Sequence, residues 1–486
     1  MGKLLEHLTE YSQSDFYPYH MPGHKRQICG KLPKEWTSMD ITEIEGFDNL
    51  HDPRGILKEL QEKAAIAYGA EESFYLVNGS TTGILTAVSA AVPFGGELLV
   101  VRNVHKSVYH AAYLRRLTLR YIYPETIAGH AICEAVTAKQ VQDALEKYSK
   151  VKAVLIVSPT YEGRIADVEA IAQVVHEKGI PLIVDEAHGA HLGFSKDFAT
   201  NSSRLGADIS VNSLHKTLPS MTQTALLHCN GKRVNREIVR KFLHIYQTSS
   251  PSYVLMAGME EAIDIAVSGQ DKYDRFVGLW RKMLEQLKGC QRIRVLPDDY
   301  AECEQRKQDI GKLVLSVEST GLSGQAFYDI LLNRYHLQME MACESYVLAM
   351  FTIGDTQEGF DRLVQAVLEI DEKLAEGELG NVSEQKAGRR TPEEIVPERL
   401  PLPVLKEAAP FYEAWDAEKE AVSLKLAEER IAGEFVNLYP PGVPIVVPGE
   451  RLSAEVLEQI EGYLTEGLNV QGLEKNAQIW VLRDSE

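Results

Sequence analysis

Between Ser73 and Asn230 the chain switches repeatedly between short apolar runs and stretches with helical spacing. "SFYLV" leads through "NGSTTG" into "ILTAVSAAV", and "GELLVV" leads through "RNVHKS" into "VYHAAYLRR". "RYIYPE" and "VKAVLIV" read as further strands. "ADVEAIAQVVHEKG" repeats its apolar residues at helical spacing and stops on a glycine. "IPLIV", "ADISV" and "QTALLHCN" complete the series. Strands alternating with helices argue for a mostly parallel sheet covered on both faces. Such sheets place ligands at the carboxyl ends of their strands, where loops meet helix N-termini. "NGSTTG", "RNVHKS", "SPTYEG", "DEAHGAH" and "NSLHK" each begin where an apolar run stops, so they are predicted to gather on one edge.

After about Asp271 the pattern changes. "KYDRFVGLWRKMLEQLKGC" reads as a long helix, and "GKLVLSVES", "HLQMEMA" and "YVLAMFTIG" as strands around the helix "GQAFYDILLNRY". The polar stretch "EGELGNVSEQKAGRRTPEE" reads as an exposed linker. The expected organisation is an N-terminal segment 1–50, a large domain 51–270, a small α/β domain 271–375, a linker 376–400 and a C-terminal domain 401–486. A length of 486 residues suits about two to four domains.

The net charge of −19, from 51 basic and 70 acidic residues, argues against a nucleic-acid partner, since the phosphates would be repelled. The six cysteines form no CxxC pair, so neither a zinc ribbon nor a dithiol redox motif is expected. The start, "MGKLLEHLTEYSQSDFY", lacks the apolar core of a signal peptide, and no stretch is long and apolar enough to span a membrane. A reducing cytoplasm is the expected location.

Lys216, in "SLHKTLPS", is an unusual residue to end a core strand. Its ammonium is costly to bury unless it is neutral, paired or covalently modified. Condensation with an aldehyde removes the charge; the plain alternative is a lysine reaching solvent just past the strand. Asp185 ends "IPLIV" in the same way, and alone would read as a cap or an ion-pair partner. Together the two suit pyridoxal phosphate, with the lysine holding the aldehyde and the aspartate keeping the ring nitrogen protonated. "NGSTTG" lies between a strand and a helix, where free N–H groups and the dipole favour a phosphate, although a simple cap is common there. His105, His188, His191 and His215 also follow strand ends. His188 and His191 lie three apart, but they leave a strand and lack an obvious third ligand. An imidazole stacked on a flat ring therefore suits them better than a metal. "DEAH", Asp185 to His188, spells a nucleoside-triphosphatase box, but the GxxxxGK[ST] phosphate loop it requires is absent from the sequence.

The ensemble "YPYHMPGHKR", "NGST", "RNVHKS", "DEAHGAH", "SLHKTLPSMTQ" and "YPPGVPIVVPGE" resembles the bacterial Orn/Lys/Arg decarboxylase family over most of the chain. The resemblance implies an α/β, aspartate-aminotransferase-like (fold type I) architecture. This has a mostly parallel sheet domain for pyridoxal 5'-phosphate, a smaller α/β domain and a C-terminal α+β domain. It is to the short form of the family, similar to bacterial arginine decarboxylase, without a receiver-like N-terminal domain. It implies Lys216 as the covalent anchor, Asp185 as partner of the pyridinium nitrogen and His105 stacked on the ring. Ser80, Thr81, Ser213 and His215 would hold the phosphate. His188 stands where longer members carry a different aromatic and is expected near the ring. Glu340 in "QMEMACESYVLAMFTIGD" matches a family glutamate that faces the substrate's distal amino or guanidinium group, with Glu344 as the competitor. "QTSSPSY", Gln247 to Tyr253, resembles a segment that reaches a neighbour's cofactor. A homodimer or higher homo-oligomer with its active site at the subunit interface is therefore implied.

The implied reaction is decarboxylation of a basic amino acid, with Lys216 or His215 returning the proton to Cα. Arginine, giving agmatine, is favoured over lysine or ornithine, since a planar guanidinium suits bidentate contact with a carboxylate. The same fold also supports aminotransferases, aldolases and β-eliminating lyases. A non-catalytic regulator could keep the fold too, but the catalytic positions would then be expected to decay.

Overall fold

The computed structural model describes residues 2–27, 34–127, 130, 132–296, 307–318, 320–379, 402–440 and 442–483. Most of the expected linker, 380–400, lies outside the described residues. The chain divides into two units. The first comprises Met1–Val100, Thr137–Pro159 and Ala166–Asp274, and the second Val101–Val136, Thr160–Ile165 and Arg275–Glu486.

Among the described residues, seven strands occur before residue 230: β1 (Glu72–Leu76), β2 (Glu97–Val101), β3 (Thr118–Ile122), β4 (Val151–Val157), β5 (Leu182–Asp185), β6 (Ile209–Ser213) and β7 (Ala225–Cys229). Six of them, all but β3, are ordered β1-β7-β6-β5-β4-β2 in the first unit. The β2/β4, β4/β5 and β5/β6 pairs are parallel, whereas β7 runs antiparallel to both β6 and β1. β1, β2, β4, β5 and β6 therefore point the same way, and their carboxyl ends share one edge. The central strands are buried throughout, as expected for a sheet covered on both faces.

The helix Gly79–Ala91 packs on β6 and β7. Gly83 permits that approach, because a Cβ there would lie 2.6 Å from Val211 Cγ1 and 2.8 Å from Leu76 Cδ1. The helices Lys3–Gln13, Ile56–Tyr68 and Tyr253–Ser268 share an apolar core that includes Leu4, Leu8, Leu57, Leu60, Tyr253 and Met256. The first of these helices has no side-chain cap of its own. The buried Glu260 carboxylate accepts from Lys3 N at 2.8 Å and Leu4 N at 2.9 Å, supplying negative charge where the helix dipole needs it.

The second unit contains an antiparallel sheet of β8 (Arg294–Leu296), β9 (Lys312–Ser316), β10 (Met341–Ala342) and β11 (Tyr346–Met350), ordered β10-β11-β9-β8. Of the expected strand "HLQMEMA" only Met341–Ala342 pairs. Phe276, Trp280, Phe351 and Phe360 form an aromatic core. The C-terminal part is built from short antiparallel strands, among them Lys419–Ser423, Val436–Leu438 and Gln478–Leu482, with the helix Ala454–Thr465. Its own core includes Val436, Leu452, Ile460 and Val481. Among the described residues, no helix is long and apolar enough to cross a membrane.

Candidate active site

The carboxyl ends of β5 and β6 bring the main candidates together. Asp185 is the last residue of β5, is 6% exposed, and accepts from Ala187 N at 3.2 Å. Burial raises its carboxyl above the ordinary range, and the nearby Lys216 charge and the Ala187 bond offset this in part. β6 ends at Ser213, and one short helical turn, Leu214–Thr217, carries His215 and Lys216. Lys216 is half-buried, with Nζ 3.1 Å from His188 Nε2. The strand-end lysine therefore meets an imidazole rather than reaching freely into solvent.

His215 Nδ1 lies 3.0 Å from Thr224 O. A carbonyl can only accept, so Nδ1 carries the proton and neutral His215 presents Nε2 as an acceptor. Burial lowers its pKa and favours that neutral form. His191 packs its ring edge-on against Phe198 at 4.8 Å, which makes it part of the packing.

Several features leave room for an anion. Ser213 is fully buried, and among the described residues its hydroxyl has no hydrogen-bond partner. The helix Gly79–Ala91, which carries Ser80 and Thr81 in its first turn, is not capped by its own Asn78. That side chain accepts instead from Thr248 N at 3.1 Å. Gly79 has φ +76° with open space at its Cβ position, and its N–H is held by Gln223 O at 2.9 Å. A buried unpartnered hydroxyl, an uncapped helix N-terminus, a lysine and a buried aspartate on one sheet edge fit a phosphorylated aldehyde with a basic ring nitrogen. Gln247 extends the end of β1, accepting from Val77 N at 3.0 Å and donating to Tyr75 O at 3.3 Å; Thr248, Ser249 and Ser250 beyond it are exposed.

His105 and Glu340 belong to the second unit. His105 is the N-cap of the helix Lys106–Arg115, its Nδ1 accepting from Ser107 N at 3.2 Å. Glu340 is exposed and accepts a hydrogen bond from the Tyr161 hydroxyl. It lines a cleft of about 200 Å³ with Gln325, Tyr328, Tyr439 and Asn469. Glu344 is half-buried, and its backbone O accepts from Gly324 N at 2.9 Å.

Residues 3–306 match the model for the Orn/Lys/Arg decarboxylase major domain, and residues 391–471 match its C-terminal domain. The chain belongs to the Orn/Lys/Arg decarboxylase family. It is 34% identical over 482 residues to arginine decarboxylase of Bacillus subtilis strain 168, covering 96% of this chain and 94% of that protein. Its fold is that of the Francisella novicida lysine decarboxylase LdcF, with a TM-score of 0.80 at 17% identity over 99% of this chain and 81% of the other. A structure of SPT with PLP shares the fold more loosely, with a TM-score of 0.53 at 16% identity over 68% of this chain and 81% of that one.

Three features of this decarboxylase escaped the sequence reading. Glu186, beside Asp185, is 1% exposed and accepts from Ser202 N at 2.8 Å, Ser202 Oγ at 2.6 Å and Asn212 Nδ2 at 3.0 Å. Burial pushes it up to about 7. Fully buried Arg102 reaches Glu450 at 3.3 Å, Pro444 O at 2.6 Å and Ile445 O at 3.1 Å. Tyr161 lies in "SPTYEG", a strand-end stretch that carried the positional signal but no assigned role.

Proposed function

We propose that this decarboxylase uses pyridoxal phosphate to convert L-arginine to agmatine and carbon dioxide, with lysine and ornithine as poorer substrates. The observation that carries the reading is the strand-edge set, in which Lys216 Nζ meets His188 beside buried Asp185 and the unpartnered Ser213 hydroxyl. Arginine is supported by the 34% identity to a relative named arginine decarboxylase, against 22% to the Pseudomonas aeruginosa protein named lysine decarboxylase.

When bound, pyridoxal phosphate supplies a conjugated ring that accepts the electron pair released as carbon dioxide leaves. Lys216 would anchor it through Nζ, with His188 Nε2 orienting that nitrogen. Asp185 would hold a proton at the ring nitrogen, in surroundings where a charge-assisted bond is stronger than in water. Ser213, Ser80 and Thr81 would bind the phosphate. His215 would join them only when protonated, because its neutral form has its single N–H on Thr224 O. For the same reason Lys216 is the better proton donor to Cα. His105 is assigned to the ring face and Glu340 to the distal cation, both on the family resemblance.

A homodimer or higher assembly is part of this reading. Phe16, Tyr17, Tyr19 and Met21 are 62–90% exposed, and such side chains are what an interface covers. A reducing cytoplasm suits the free cysteines Cys133, Cys229, Cys290 and Cys343. The test is to mix the purified protein with cofactor and each of the three amino acids and measure carbon dioxide and amine. Arginine is expected to give the highest kcat/KM. No release from any of the three sinks the proposal, and a keto-acid product would mean transamination.

A further inference from the structure

"SPTYEG" is the one strand-end stretch that the reading above leaves without a task. Its Thr160–Gly163 part, with Arg164 and Ile165, belongs to the second unit, where it forms a tightly fixed turn. Arg164 is 7% exposed and grips Glu134 with both ends of its guanidinium, at 2.8 and 3.0 Å. Gln308 Nε2 donates to Glu162 O at 2.9 Å, and Asp309 N donates to Gly163 O at 2.8 Å. Gly163 has φ +95°, and a Cβ there would lie 2.8 Å from Lys312 Cγ, so the turn needs glycine on both counts.

This turn presents Tyr161. The ring packs on an apolar cluster that includes Ile132, Leu296, Val314, Met341 and Leu348. Its hydroxyl donates to Glu340 Oε1. Burial first, and then the Glu340 charge, raise the phenol so far that it remains a protonated donor across the working pH range. Glu340 itself is exposed at the cleft, and an unsupported glutamate there would have to freeze its own torsions to meet a ligand. A phenol fixed to one lone pair of Oε1 sets the plane of the carboxylate and leaves Oε2 and the second lone pair of Oε1 for a two-pronged ligand.

We propose that Tyr161 is a positioning residue that orients the Glu340 carboxylate for the cationic end of the substrate side chain. This rests on Glu340 being the residue that meets that cation. A planar guanidinium gains most from a fixed carboxylate plane, and an ammonium, a point charge, gains less. Tyr161 thereby favours arginine over lysine.

The test compares Tyr161→Phe and Glu340→Gln with wild-type holoenzyme. For Tyr161→Phe the KM for arginine is expected to rise about tenfold, the loss of one hydrogen bond to a charged group, with kcat changed by less than about twofold. Inhibition by agmatine, which shares the distal group, should weaken by the same factor, and the preference for arginine over lysine should narrow. The unfolding temperature should hold. An unchanged or lower KM in Tyr161→Phe, while Glu340→Gln raises it, overturns the role of Tyr161 alone. An unchanged KM in Glu340→Gln removes Glu340 as the substrate contact, and this proposal with it. A parallel fall in kcat and unfolding temperature in Tyr161→Phe would make the residue structural and overturn the proposal as well.

Discussion

The first unit's strand edge and the second unit's Arg102–Glu450 joint both bury carboxylates, and they differ in the partners they give them. At the joint an opposite charge and a backbone donor offset part of the burial that raises Glu450: Arg102 meets it at 3.3 Å, and one of its oxygens also accepts from Val447 N at 2.7 Å. At the strand edge two acidic residues stand side by side. Asp185 is near the Lys216 charge, while Glu186 accepts from the neutral donors Ser202 and Asn212. Burial pushes Glu186 up to about 7. Burial raises all three carboxyls, but the one bonded directly to a buried guanidinium serves as a structural joint, whereas those without such a bond are left with a proton that can respond to what binds.

The sharpest way to break this contrast is Lys216→Ala. It should abolish the absorbance of lysine-bound cofactor and lower turnover by about a thousandfold or more, as read by spectroscopy and carbon dioxide release. Normal turnover would remove Lys216 from the chemistry. Next is Glu450→Ala, which leaves the Arg102 charge buried with carbonyl partners but no anion. Urea titration should show a loss of about 3–5 kcal/mol. Replacing both partners together, Arg102→Met with Glu450→Leu, should recover much of that stability, because the uncompensated charge is then gone.

A smaller effect on turnover is expected for Asp185→Asn, which keeps the shape of the side chain and removes its charge. Turnover should fall by about a hundredfold while the variant still takes up cofactor. The smallest effect is a pH slope. Folded Glu186 releases its proton near 7, against an ordinary value of 4.5, so folding favours its neutral form. The stability it contributes is complete below 4.5 and is lost as pH rises towards about 7. Glu186→Gln cannot ionise. The stability gap between the variant and the wild type, measured by urea midpoints on either side of that window, should therefore move in the variant's favour as pH rises. A constant gap would mean that folding leaves the Glu186 pKa unshifted.

Much of the fold was legible because strand ends are marked twice, by the apolar run that stops and by the polar residues that follow. That double mark located Asp185, Ser213, His215, Lys216 and the "NGSTTG" turn before any coordinates. Strand direction carried no such mark. β7 is apolar and buried like its neighbours, yet it runs the other way. The histidines were equally silent, since His188 and His191 look alike in "DEAHGAH" but one meets Lys216 and the other packs on Phe198.

The sequence by itself determined the alternation of elements, the family, and the residue types that stop at each strand end, because these depend on local periodicity and short motifs. Only the tertiary structure decided which of those residues meet. The 3.1 Å contact of Lys216 with His188, the Tyr161 hydroxyl on Glu340 and the burial of Arg102 with Glu450 join positions far apart in the chain. The physical reason is that burial and pairing, which set charge and hydrogen bonding, arise when distant segments exclude water together, and no local stretch of sequence records which segment will do so.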